Sequence, residues 1–268
     1  MSRIIIDMKY SFIETFRDKT NLIFLFIFPT IMFLLLGNIL GGLGSQLQSS
    51  AASSINYFDF LLPGILAIFI MTAAQMAAGT IVHYRRLGVF RKLAKFLILQ
   101  PEKSQIFRRL ATTPISNMEW IAARIIMWTI LVLLSLAVAI FVAWLVIGIH
   151  PNINLISLLL MISGTALFAG MGILVANFVK NEEAALSVTA AVIFPLTLVS
   201  GTFTPMGTMS WFLQYLAKIS PLTYLSEGLR SSMITGNYGD AITNLIIVTV
   251  LGILLFGIGT ATFNWKEG

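Results

Sequence analysis

Two sets of side chains stand out by type and spacing. The first is Tyr84 to Ser116, which carries eight basic residues, Arg85, Arg86, Arg91, Lys92, Lys95, Lys103, Arg108 and Arg109, against a single acid, Glu102. Such a run does electrostatics rather than bond chemistry. It binds an anionic surface or an acidic groove, and between long uncharged segments it stays on the cytoplasmic face of a membrane. The second is Glu227 and Arg230, three apart, a spacing that lets them pair on one helix face. A solvated pair contributes little, and this one is read as structural. The groups that ordinarily do catalysis are not arranged for it. His83 and His150 fall on opposite expected faces and cannot share a metal. No HExxH, GxSxG or GxxxxGK(S/T) pattern and no pair of intramembrane carboxylates occurs, and there is no cysteine. The chain is therefore expected not to be an enzyme and to bind no cofactor; any ATP would sit on another chain.

The segments that must position these residues are almost wholly apolar. Of 268 residues, 57% are hydrophobic and 10% charged, with a mean hydropathy of +0.91. A soluble domain carries about 25% charged residues. The reading is an all-α membrane protein in a single transmembrane domain, 1–268. A net charge of +6 follows from topology, because the basic residues cluster between apolar spans, and not from nucleic-acid binding.

Along the chain, Ile5, Met8, Phe12 and Phe16 recur every three or four residues opposite Asp7, Glu14, Arg17 and Asp18. This gives an amphipathic interfacial helix over 1–20, or else a plain polar lead-in. Six spans follow: 22–40, kinked at Pro29; 60–82; 120–149, capped by Ser116 and Glu119; 153–179; 184–200; and 241–263. Residues 41–56 form an outer loop, and 83–119 the basic inner loop. From Ala184 the chain is uncharged until Lys218, about twice what one crossing needs. Pro195, Gly201, Pro205, Gly207 and Pro221 interrupt it. One span and then outer re-entrant helices, 201–236, account for that length. Fifteen of the seventeen Lys and Arg fall on the inner side, so both termini are expected in the cytoplasm of a cell-membrane protein. Gly164, Gly170 and Gly172 suit close helix packing. The spans hold almost no ionisable group, which argues against ion-coupled transport.

Within the basic loop, Leu87, Phe90, Ala94 and Leu97 share a helical stripe beside Arg91 and Lys95. A helix there either seats in a groove on a partner or lies on anionic lipid. The loop also holds a near-repeat, Val89-Phe-Arg-Lys-Leu-Ala94 and Ile106-Phe-Arg-Arg-Leu-Ala111.

With these residues in view, the sequence resembles the membrane subunits of type-2 ABC exporters, near the multidrug (daunorubicin-resistance) branch. Two stretches carry the likeness. One is Leu87-Gly-Val-Phe-Arg continuing into Phe107-Arg-Arg-Leu-Ala-Thr-Thr-Pro-Ile-Ser116. The other is Leu198-Val-Ser-Gly-Thr-Phe-Thr-Pro-Met206 with Ile219-Ser-Pro-Leu-Thr-Tyr224, Arg230 and Gly236. The resemblance implies a coupling helix in the inner loop, seated on a separate ABC ATPase subunit that holds ATP and Mg. The coupling residues would be Arg86, Leu87, Phe90, Arg91, Phe107, Arg108, Arg109 and Leu110. It implies a second permease chain, identical or not, and an outer gate built from Gly201, Pro205, Pro221, Tyr224, Glu227 and Arg230. Unlike family members that run straight from a GVFRRL-like segment to TTP, this chain has some seventeen further residues, 91–107, so either copy of the repeat is a candidate for the ATPase contact. The function implied is a permease exporting an amphipathic drug or lipid-like substrate. The rivals are a lipid-linked glycan exporter and a non-transporting membrane scaffold.

Overall fold

A computed structural model describes residue 23 and residues 27–48, 57–86 and 117–262. The expected interfacial helix over 1–20 and most of the basic loop, 87–116, lie outside the described residues. The described residues form helices and connections, with no strand among them. In chain order the helices are α1 (Phe28–Gln48), α2 (Tyr57–Arg86), α3 (Asn117–Ile147), α4 (Leu155–Phe178), α5 (Glu182–Val199), α6 (Trp211–Ile219), α7 (Pro221–Arg230) and α8 (Tyr238–Ala261). A 3-10 turn, Met206–Thr208, precedes α6, and a π turn, Ser231–Thr235, follows α7.

Five of these, α2, α3, α4, α5 and α8, are long and apolar enough to cross a membrane. They match five of the six expected spans to within a few residues. The expected kink at Pro29 adjoins residues 24–26, which lie outside the described residues. The first expected span, in α1, is corrected in one respect. The helix then runs on to Gln48 through residues expected in a loop, because isolated glycines without a following proline weaken a helix but do not end it. Among the described residues the apolar stretch of α1 covers Thr30–Ile39, and residues 22 and 24–26 of the expected span before it lie outside them.

α2 and α4 are the interior helices. Leu61, Leu62, Leu66, Ile70 and Met71 of α2 are buried against Leu160, Leu167 and Phe168 of α4, and α8 packs on the other side of α4. The glycines of α4 set these distances. A Cβ on Gly172 would overlap the Ala74 carbonyl of α2, and one on Gly170 would come within 2.9 Å of the Phe256 amide of α8. Only a bare Cα lets the backbones meet there. Two buried hydroxyls of the spans are satisfied within their own helix: Thr165 donates to the Met161 carbonyl and Thr189 to the Ala185 carbonyl, both at 2.7 Å.

Polar groups fasten the two ends. At one end His83 Nδ1 lies 3.0 Å from Glu182 Oε2, joining α2 to α5, and Asn177 donates to the Gly259 carbonyl and the Thr262 hydroxyl, joining α4 to α8. At the other, Asn154 and Ser157 form a capping box on α4. Asn154 also donates to the Ser232 carbonyl and accepts from the Ser232 hydroxyl at 2.7 Å, while the Asn152 amide donates to Met233. His150 lies in this second region, its ring edge-on to Trp144, far from His83. This end is called the outer end, following the orientation expected from the charge bias.

Candidate functional site

Between α5 and α8 the chain turns back on itself at the outer end, and each turn has a local cause. The amide of Ser200 donates to the Leu196 carbonyl, and Gly201 then takes φ +72°, a left-handed conformation that side-chain-bearing residues rarely adopt. The Ser200 hydroxyl donates to Thr202 Oγ1, which in turn donates to the Thr197 carbonyl at 3.0 Å, closing the turn. The Thr202 carbonyl rests against Gly64 of α2, where a Cβ would come within 2.5 Å of it. The Tyr57 hydroxyl donates to the Phe203 carbonyl at 2.8 Å. Thus the turn after α5 is held by the first two turns of α2.

Pro205 starts the 3-10 turn and is exposed. α6 is amphipathic, burying Ala217 and exposing Trp211, Phe212, Tyr215 and Ile219. Pro221 occupies the first turn of α7, the position where proline costs least. Tyr224 of α7 donates to the Lys218 carbonyl at the end of α6.

Arg230 closes the arrangement. It is only 8% exposed, and three elements meet around its guanidinium. Glu227 of its own helix accepts at 2.6 Å. The Phe60 carbonyl of α2 accepts from Nε and Nη2 at 3.4 Å, and the Gly201 carbonyl from Nη2 at 3.5 Å. The guanidinium carbon lies 3.8 Å from the centre of the Phe60 ring, a cation–π geometry. The expected Glu227–Arg230 pair is present and is not a solvated one. It anchors α7 to α2 and to the turn after α5.

Of the sequence-derived outer set, the structure brings Gly201, Glu227 and Arg230 into one cluster. It puts Tyr224 at the α6–α7 junction and leaves Pro205 and Pro221 as backbone-shaping residues outside the cluster. Sequence reasoning missed Tyr57, Phe60 and Gly64. Phe60 is legible only as the expected start of the second span, and its carbonyl and ring carry no signal that an arginine 170 residues away will use them. Of the inner set, Arg86 ends α2. Leu87, Phe90, Arg91, Phe107, Arg108, Arg109 and Leu110 lie outside the described residues. Among the described residues no group of three or more His, Asp or Glu is placed to hold a metal.

One element reaches both sets. α2 is a helix of 30 residues with Pro63 in its second turn, about 45 Å long at 1.5 Å per residue. Its first turns hold Arg230, Thr202 and Phe203, and its last turn carries Arg85 and Arg86 into the basic loop.

The family model for ABC-2 type transporters matches residues 93–234, more than half of the chain. Comparison with curated proteins gave no match. Permeases of that family work with an ABC ATPase, and their membrane domain is the transport component and not a catalytic one. On the family match and five membrane-length apolar helices, the chain belongs to the ABC-2 type transporter family and is a multi-pass membrane permease of an ABC transporter.

Proposed function

We propose that this permease exports an amphipathic drug or lipid-like substrate across the cell membrane, near the multidrug branch of its family, as one of two permease chains driven by a separate ATPase subunit that binds ATP and Mg. The observation that carries the reading is α2. From Gly64 to its inner end α2 has no proline and is stiff, so a push on the basic loop moves Gly64 and the Thr202 carbonyl that rests on it, while Pro63 links this rod to the first turns. At this outer end Arg230, Thr202 and Phe203 are tied to α2. ATP binding on the partner moves the loop, α2 tilts, and the short helices α6 and α7, re-entrant from the outer face, open the exit. Two-state motion of a packed rod suits this coupling better than continuous deformation, because close-packed interiors resist compression.

Three observations support the finer points. α5 turns most of its surface outward, with Val188, Val192, Phe194 and Leu198 exposed, which suits contact with the second permease chain or with lipid. The interior is apolar and rich in Met and Phe, which suits an amphipathic substrate more than an ion or free sugar. The family match begins at residue 93, so it contains Ile106–Ala111 whole and only the last two residues of the first repeat copy. This favours Phe107, Arg108, Arg109 and Leu110 as the ATPase contact.

A second reading, export of a lipid-linked glycan, is favoured by one observation. Trp211 and Tyr215, one helical turn apart, are both exposed on α6 and offer ring faces to sugar rings. Purification of the tagged chain from its native membranes, with mass spectrometry of what accompanies it, tests the proposal at its root. An ABC ATPase in near-equal amount supports the driven permease. An intact, folded chain without any nucleotide-binding partner overturns it and leaves the scaffold reading.

A further inference from the structure

A pocket of about 310 Å³ opens at the outer end between α6, α7 and α8, apart from the Arg230 cluster's inner face. Its lining gathers three charged side chains in a chain with few charges. Lys218, Glu227 and Asp240 face it, with Thr223 and Asn244 between them. The charges are mixed. Among the described residues no carboxylate lies within ion-pair distance of Lys218. Glu227 is shared with Arg230 through Oε1, and Asp240 accepts from Asn237 through Oδ2.

The pocket has a direction. Asp240, Asn244 and Ile247 share one face of α8, and that face continues inward as Val250, Leu254 and Ile258, three apolar side chains each about half exposed. A polar head at the outer end above a hydrocarbon stripe is the shape of a membrane amphiphile. A purely anionic head would meet two carboxylates, and a purely cationic one would meet Lys218. A head that carries both signs satisfies both sides.

We infer that this pocket binds the zwitterionic aminophosphate headgroup of an outer-leaflet phospholipid, with its phosphate at Lys218, its ammonium at Glu227 and Asp240, and a chain along Val250, Leu254 and Ile258. The lipid sits on the hinge between the gate helices and the last span. It is a resident ligand of the gate, independent of what the permease transports. The volume is at the low end of small-molecule sites, roughly 300–1,000 Å³, which suits a headgroup and not a whole lipid.

The test uses the full-length protein, with any ATPase that accompanies it, stripped in detergent and then incubated with an equimolar mixture of phosphatidylethanolamine, phosphatidylcholine and phosphatidylglycerol of identical chains. Lipid retained after gel filtration is quantified by mass spectrometry. Phosphatidylethanolamine is expected to be enriched, because its primary ammonium donates hydrogen bonds that a quaternary one cannot. Lys218→Gln and Asp240→Asn each lower that enrichment about tenfold, the loss of one charge-assisted hydrogen bond. Asn244→Ala, at an uncharged lining residue and so folded even if the others are not, also lowers it. Retention of the three lipids in mixture proportion, or enrichment unchanged in all three variants, overturns the inference. Full displacement by soluble glycerophosphoethanolamine at equal concentration overturns the lipid assignment in favour of a free headgroup ligand.

Discussion

Replacing Arg230 by glutamine removes the group at which three elements meet. Breaking a buried ion pair by deleting one partner costs about 3–5 kcal/mol. Here the Glu227 side chain is 34% exposed and rehydrates when abandoned, which puts the loss at the low end of that range. The lost stacking on Phe60 adds about 1 kcal/mol, and the 3.4–3.5 Å carbonyl contacts are too long to add much. We expect Arg230→Gln to destabilise the fold by about 4 kcal/mol. Glu227→Gln leaves the buried guanidinium without its counter-charge, offset in part by the Phe60 ring and the amide oxygen that still accepts, and should cost about 2 kcal/mol. Because the two act as one contact, the double variant should lose about 1 kcal/mol less than the sum. The assay is equilibrium unfolding of the purified chain in mixed micelles titrated with dodecyl sulfate, followed by far-ultraviolet circular dichroism. If Arg230→Gln loses no more than the coupling energy of the pair, Arg230 is only half of a local helix pair and the staple to α2 is wrong.

Three further outcomes are expected. Gly172→Ala should destabilise by about 1–3 kcal/mol, because the new methyl group meets the Ala74 carbonyl, whereas Gly207→Ala, with no neighbour within 4 Å, should be silent in the same unfolding assay. Asn154→Ala removes a helix cap and two bonds to Ser232, together about 2–3 kcal/mol; an effect under about 0.5 kcal/mol would mean that the outer clasp does not form. Phe107→Asp should abolish capture of the ATPase on the tagged chain while Phe90→Asp leaves it nearly intact; negligible effects at both positions would remove the coupling helix from this loop.

Much of the architecture was legible in one dimension. A membrane imposes a length and a polarity that soluble surroundings do not, so uncharged stretches bounded by basic residues mark spans whatever their packing. The glycines of the fourth span likewise announced close packing, and Gly170 and Gly172 are where α2 and α8 meet α4. The end of α1 was not legible, since its glycines are as compatible with a helix as with a loop. Nor were the partners of Arg230 legible. The spacing of Glu227 and Arg230 is local and can be read from their numbers, but the Phe60 carbonyl and ring reach the guanidinium only because α2 and α7 cross, a relation that no sequence spacing encodes. The same holds for the mixed-charge pocket, where Lys218, Glu227 and Asp240 belong to three helices and are brought together by the fold alone. Composition and period decided that this chain is a helical membrane protein, because burial in lipid acts residue by residue. Only the tertiary structure decided which end-groups lock together, because that depends on where backbones cross.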